Sequence, residues 1–215
     1  MSNIDLATAN VIKIAPPTSH AGYLEIIIGP MFSGKTSRLV EIYNHYNENT
    51  DENVVVINYI GDKRYHATML STHDEIFIPC EFTSSLKEWL DTTIIQRADV
   101  ILINEGQFFD DLYDIVRIMV EELHKKVYVC GLDGDYRREK IGQLLDLIPM
   151  CDKIVKLTSI CSLCHGVAIF SHRKTKQVEQ YVIGSSDIYV PLCRRCYTEN
   201  TATKSVIEDA SKTIN

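Results

Sequence analysis

The sequence predicts an α/β fold: a mostly parallel sheet flanked by helices, followed by a smaller lobe of different character. Three observations carry this. Apolar runs of strand length alternate with amphipathic stretches of helix length through the first two-thirds of the chain. A glycine-rich turn stands between the first run and the first helix. Past about Pro149 the alternation stops and two Cys-x-x-Cys pairs take over. Alternation of this kind builds right-handed crossovers and a parallel sheet covered on both faces.

Leu24–Ile28 is the first strand, and its nearly continuous apolar run suits a strand buried on both sides. A helix is predicted from Gly34 to about Asn47, with Leu39, Ile42, Tyr43 and Tyr46 on one face. Val54–Tyr59 is the second strand, and Gly61, Asp62, Lys63 and Arg64 form a polar loop at its end. Ile76–Ile78 reads as a short strand, and Ser84–Gln96 as a helix that Ser84 caps. Val100–Ile103 gives the next strand. A helix from about Phe108 to His124 follows, with Leu112, Val116, Met119 and Leu123 as its apolar stripe, and then the strand Val127–Cys130. Ligands collect at the carboxyl ends of such strands. The glycine-rich turn, Asp62, Glu105 and Asp133 all fall at ends of that polarity.

The turn itself is Gly29, Pro30, Met31, Phe32, Ser33, Gly34, Lys35 and Thr36: glycine, four residues, then Gly-Lys-Thr. Between a strand and a helix, this is the phosphate-binding loop pattern. Backbone N–H groups turn inward around phosphate oxygens, and the new helix points its positive end at the same anions. Lys35 is expected on the β- and γ-phosphates, and the Thr36 hydroxyl on Mg²⁺. The sheet is therefore expected to be of the P-loop, RecA-like kind, binding a nucleoside triphosphate.

Composition narrows the partners. The chain has 215 residues, 45% hydrophobic and 24% charged, which supports a sizeable core. A formal net charge of −7 without a long basic run argues against a general nucleic-acid binder and for a small organic substrate. No run approaches the roughly 18 apolar residues of a membrane span. Met1–His20 lacks a basic start followed by an apolar stretch, so it does not read as a secretory signal. Residues 1–20 and 201–215 are expected to be flexible tails around an ATP-binding domain at 21–150 and a second, metal-binding domain at 151–200.

Seven cysteines, an odd number, do not suggest a disulfide framework, and a reducing cytoplasm is the natural setting. Cys161 with Cys164, and Cys193 with Cys196, form two knuckles that suit one tetrahedral zinc. Four cysteine ligands close the site, so the zinc is structural. The segment between the knuckles is longer than in an ordinary zinc ribbon, with Val178–Ile183 its best strand candidate. A loop pinned at both feet can act as a lid. Cys80, Cys130 and Cys151 have no partner spacing and read as small buried hydrophobes.

Beside the third clear strand stand Asn104, Glu105, Gly106, Gln107 and Phe108. Many phosphate-loop enzymes keep an Asp for Mg²⁺ where Asn104 stands. Glu105 is positioned to take the proton of an attacking hydroxyl or water.

Four stretches now agree in order and spacing: GPMFSGKT at Gly29–Thr36, EGQFF at Glu105–Phe109, GLDGDYRR at Gly131–Arg138, and the paired Cys-x-x-Cys. From about Tyr23 to Tyr197 the chain resembles the cytosolic, zinc-containing thymidine kinase family. The resemblance implies transfer of the ATP γ-phosphoryl to the 5′-hydroxyl of thymidine or deoxyuridine, with Glu105 as general base. It implies that Gly29–Thr36, then Asp62, Lys63 and Arg64, then Asn104, Glu105, Gly106 and Gln107 contact ATP. It also implies that Met31, Phe108 and Tyr136 lie near the base or sugar. The lasso-like loop with Gln180, Tyr181, Val182, Ile183, Gly184 and Tyr189 is expected to cover thymine, largely through its backbone. A small zinc-ribbon-like lasso domain, a homotetramer and feedback inhibition by dTTP belong to the same implication.

The chain departs from the family where Asn104 replaces the usual Asp, where Tyr136 stands in place of a common Phe, and where Ile141 fills a place often held by Phe. The first bears on Mg²⁺, and Asn104→Asp is expected to lower the Mg²⁺ requirement. The other two bear on nucleoside preference. Two other readings stay open at the level of sequence. One is a kinase of the same chemistry for another nucleoside or a nucleotide. The other is an ATP-regulated module that uses its zinc element on nucleic acid.

Overall fold

The computed structural model describes residues 21–61, 69–71, 76–182 and 184–201. Asp62, Lys63, Arg64 and Ile183 lie outside the described residues, as do 1–20 and 202–215. In chain order, β1 (Tyr23–Gly29) leads through the glycine-rich turn into α1 (Lys35–Asn49) and β2 (Val54–Tyr59). The antiparallel pair β3 (Met69–Ser71) and β4 (Phe77–Pro79) precedes β5 (Glu81–Thr83). Then come α2 (Thr93–Arg97), β6 (Val100–Asn104), α3 (Leu112–Arg117), β7 (Lys126–Leu132) and β8 (Lys153–Lys156). The main sheet has six strands in the order β5-β2-β6-β7-β1-β8, every neighbour parallel.

The apolar run of β1 is explained by what covers it. Leu24, Ile26 and Ile28 pack with Leu112, Val116 and Met119 on one face, while Ile27 packs with Leu39, Val40 and Ile42 of α1 on the other. Both faces are dry, as a parallel sheet requires. Each such side chain, fully buried, contributes about 1.5–3 kcal/mol. That packing fixes the strand ends from which the site is built.

Three elements differ from the sequence reading. The helix predicted over Ser84–Gln96 is instead a 3₁₀ turn at Lys87–Trp89 and the short α2. Its cap is Thr92, whose hydroxyl accepts from the Ile95 N–H at 3.4 Å, and not Ser84. Asp111 reaches across to accept from Ser85 Oγ at 2.7 Å and from the backbone N–H groups of Leu86 and Lys87. Asp111 thereby caps the 3₁₀ turn, and the extended backbone of Thr92 (φ −74, ψ 148) breaks the run. The predicted Phe108–His124 helix is broken as well. A 3₁₀ turn spans Gly106–Phe108, buried Phe109 caps it in an extended conformation, and α3 starts at Leu112 before widening into a π turn at Ile118–Glu122.

The third difference lies past residue 150. Lys153–Lys156 supplies the sixth strand of the main sheet, pairing with β1. Its exposed lysines mark a sheet edge and hide the strand from an apolar-pattern reading. The small lobe follows as β9 (Ser159–Ile160) with β10 (Val167–Ala168), and β11 (Phe170–Arg173) with β12 (Tyr189–Leu192), both pairs antiparallel. No strand forms among the described residues at Val178–Val182, the place where the sequence suggested one. The lobe's own core is small: Cys161, Ala168, Leu192, Cys196 and Tyr197.

Candidate active site

At the carboxyl end of β1 the chain turns through Gly29–Gly34 into α1. Gly34 has φ 80, a left-handed conformation that side chains rarely adopt, and an added Cβ there would meet open space. Glycine is therefore needed for its backbone and not for room. Lys35, the first residue of α1, is buried, and its Nζ donates to the Pro30 carbonyl at 2.7 Å. The Ser33 hydroxyl is buried with no hydrogen-bond partner, a costly arrangement that a phosphate oxygen would relieve. An anion fits this turn.

Glu105 stands at the end of β6, two strands away from β1 in the sheet. Its backbone is left-handed, with φ 56, a strained conformation for a residue with a side chain. Gln107 Nε2 donates to Glu105 Oε2 at 2.6 Å, and Gln107 Oε1 accepts from the Leu132 N–H at 3.0 Å. The glutamine thus braces the acid against the end of β7. Gly131 makes this possible, because a Cβ there would come within 2.1 Å of Gln107 Oε1. Asn104, one residue earlier, is buried and turned sideways. Its Nδ2 donates to Asn58 Oδ1 at 2.9 Å, and its Oδ1 accepts from the Cys130 thiol at 2.9 Å.

Loop and acid face one cavity of about 360 Å³, within the range of small-ligand sites. Its wall comes from three places. Met31, Phe32, Ser33, Gly34, Lys35 and Thr36 form one; Glu105 and Phe108 another; Tyr136, Ile141, Gln180, Tyr181, Val182, Gly184 and Tyr189 the third. Of the other predicted residues, Gly29 and Pro30 belong to the loop's first turn, and Gly106 and Gln107 support Glu105 from behind. Sequence reasoning did not single out Tyr59, Asp135 and Ser171, which also line the cavity. Nor did it single out Arg173, which lies beneath the lid. Asp135 lies within the quoted Gly131–Arg138 stretch, while no motif announces Tyr59, Ser171 or Arg173.

The lid is attached at several points. The rings of Tyr59 and Phe108 lie 5.3 Å apart and those of Phe108 and Tyr181 4.9 Å apart, forming an aromatic row across the mouth. Gln180 Nε2 donates to the Lys140 carbonyl at 2.9 Å. Tyr197 OH donates to the Tyr136 carbonyl at 2.5 Å, and Asp135 Oδ1 takes the N–H groups of Arg137 and Glu139, which shapes the turn that carries Tyr136. The small lobe also touches the phosphate loop. Ser171 Oγ accepts from the Met31 N–H at 2.9 Å, and Ser159 Oγ donates to the Phe32 carbonyl at 2.8 Å.

Cys161, Cys164, Cys193 and Cys196 present sulfurs that all lie within 4.8 Å of one another. A tetrahedral zinc with bonds of about 2.3 Å places its sulfurs about 3.8 Å apart, and Cys164 and Cys193 stand at 3.6 Å. The cluster is compatible with a structural zinc. Burial works against ionisation of Cys161, but backbone N–H groups around Cys193, Cys164 and Leu163 hold its thiol down at about 6. Cys196, hydrogen-bonded to Cys193 and partly desolvated, is pushed up to about 12. The thiols share protons that a cation would displace.

The fold and the cleft define a class first: a phosphate-loop α/β protein with a braced acid beside the loop and a cysteine-footed lid over both. The model of the thymidine kinase family matches residues 22–197, and this chain belongs to that family. It is 39% identical over 205 residues to a thymidine kinase of rice (Oryza sativa subsp. japonica), covering 92% of this chain and 76% of the relative. Thymidine kinase a of Arabidopsis thaliana is 38% identical over 200 residues, covering 89% and 83%. The thymidine kinase of vaccinia virus (strain Western Reserve) is 37% identical over 181 residues, covering 84% and 99%. The chain is therefore a kinase. Domain III of the Thermotoga maritima replication initiation protein DnaA aligns over 62% of this chain and 54% of its own, with a TM-score of 0.36 and 19% identity, too loose a likeness to bear on function. No helix among the described residues is long and apolar enough to cross a membrane.

Proposed function

We propose that this chain transfers the γ-phosphoryl group of ATP to the 5′-hydroxyl of thymidine, giving dTMP in pyrimidine salvage, and to that of deoxyuridine, giving dUMP. One observation carries the proposal: the phosphate loop, Glu105 and the lid line the same cavity, so donor and acceptor can meet without either leaving it.

ATP takes the turn Gly29–Thr36, with Lys35 against the phosphates and the Ser33 hydroxyl a further donor. Asp62, Lys63 and Arg64 complete the donor side in this reading, Arg64 stabilising the transferring charge, and Asn104 backs the strand end. The nucleoside lies beneath Gln180–Gly184, with Tyr136 and Tyr189 beside its base and Met31 and Phe108 near its sugar. Glu105 takes the 5′-hydroxyl proton as the new P–O bond forms and the bond to ADP breaks. Gln107 holds the carboxylate toward that task. The Thr36 hydroxyl would help hold Mg²⁺ with ATP, and that ion would supply neutralising charge on the phosphates. Catalysis is then positioning and electrostatics in a site the lid keeps dry. The domain division moves by one strand from that expected: β8 belongs to the ATP-binding sheet, so the domain that holds the zinc and the lasso, expected at 151–200, begins after Lys156.

A dTTP molecule presents a thymine for the lid and a triphosphate for the loop of one cavity, which supports its role as an end-product inhibitor. The homotetramer and the cytoplasmic setting rest on the family. Purified protein with MgATP and a panel of deoxynucleosides tests the proposal. Product from thymidine and deoxyuridine is expected, and product from purine nucleosides alone would overturn it.

A further inference from the structure

On β11 alternate side chains face inward, and the two that do, Ser171 and Arg173, are 4% and 1% exposed. Ser171 meets the phosphate loop at Met31. Arg173, two residues on, meets the lid. Its Nη1 donates to the Gln177 carbonyl at 3.0 Å and to the Glu179 carbonyl at 2.6 Å, and its Nη2 to the Gln180 carbonyl at 3.2 Å and Tyr189 OH at 2.7 Å. Its guanidinium also lies 3.9 Å from the centre of the Tyr136 ring. Tyr189 OH continues the chain, accepting from the Val182 N–H at 3.0 Å and donating to the Val182 carbonyl at 3.1 Å.

Burying a guanidinium is expensive, and apolar packing of similar volume often stabilises as well or better. Here the cation gathers one stretch of lid backbone, the hydroxyl that holds a second stretch, and the face of an aromatic ring. Tyr136, Val182 and Tyr189 line the cavity themselves. We propose that Arg173 is a positioning residue for the nucleoside: its buried fork sets the lid backbone and the Tyr136 ring at the spacing that grips the base. The inference rests on reading this cavity as the nucleoside site. A lysine at this position keeps the charge, but its donors sit on one nitrogen without a planar fork, so it cannot span these separated carbonyls and stack on the Tyr136 ring together.

Arg173→Lys and Arg173→Met, each in the full chain with zinc content checked, test it through steady-state kinetics and amide hydrogen exchange. The thymidine KM is expected to rise about tenfold in Arg173→Lys and further in Arg173→Met. The ATP KM and kcat at saturating thymidine stay within about twofold. Exchange at the Val182 N–H speeds up while the amides of β1 keep their protection. Unchanged thymidine KM, or equal losses for ATP and thymidine, overturns the assignment. If Arg173→Met does not fold, Arg173→Lys decides. If the unaltered protein ignores thymidine, the substrate reading falls on its own. Slow exchange at Val182 in Arg173→Lys then overturns the role of Arg173 separately, and fast exchange sustains its hold on the lid.

Discussion

The two ends of the cavity are held by different physics. The loop and Glu105 sit on the ends of strands whose side chains are buried on both faces, so hydrophobic packing fixes them. The lid stands on a lobe whose buried core is five residues, two of them cysteines of the metal cluster. Such a core is too small to hold a loop by burial alone. The lid relies instead on the four-cysteine cluster, a buried guanidinium and hydroxyls that reach the phosphate loop. Donor binding and acceptor binding should therefore respond to different insults.

Metal removal draws the sharpest line. Structural zinc sites contribute on the order of 10 kcal/mol of ordering free energy at neutral pH. Chelation, or Cys164→Ser, is expected to abolish thymidine phosphorylation while far-UV circular dichroism and ATP binding persist. Simultaneous collapse of the sheet would erase the distinction.

Glu105→Gln comes next. A positioned general base contributes about 10²–10⁴ in rate, so kcat should fall within that range with ATP affinity nearly unchanged. Full activity in the variant would remove Glu105 from the chemistry. The amide still accepts a hydrogen bond from Gln107, so the fold should not suffer.

Ile27→Ala addresses the sheet end. A fully buried isoleucine lost from packed surroundings costs about 2–5 kcal/mol. Thermal unfolding should show it, and both substrates should weaken together above the new midpoint. The smallest effect is expected from Asn104→Asp. A carboxylate cannot donate to Asn58 Oδ1, where the amide now does. The lost bond and the buried charge cost about 1–3 kcal/mol, read in a urea titration. A Mg²⁺ titration of the same variant measures whether the new charge also serves the metal.

Legibility in the sequence divides along the same line. The phosphate loop is a contiguous signal, because one turn must supply every donor, and its eight residues could be read as they stand. Nearly continuous apolar strands such as Val54–Tyr59 were legible for the same reason, as burial on both faces leaves few polar positions, here Asn58. Lys153–Lys156 was not, since an edge strand bordered by lysines does not look buried. The helix expected at Ser84–Gln96 failed because Thr92, extended at φ −74 and ψ 148, interrupts the run and caps a new, shorter helix, a place threonine favours over a helix interior. Arg173 was invisible for another reason: a lone arginine in a polar spacer carries no period, and only the folded lid shows what it gathers. The four cysteines were legible because metal-ligand spacing is local within each knuckle, even with a long insertion between them.

The central claim is that one cavity holds donor and acceptor together. Initial rates of phosphorylation, with ATP and thymidine varied against each other, test it directly. Intersecting lines in double-reciprocal form, with dTMP as product, are predicted, since transfer then occurs within a ternary complex. Parallel lines, the mark of a phosphorylated enzyme that releases ADP before thymidine binds, would contradict the account.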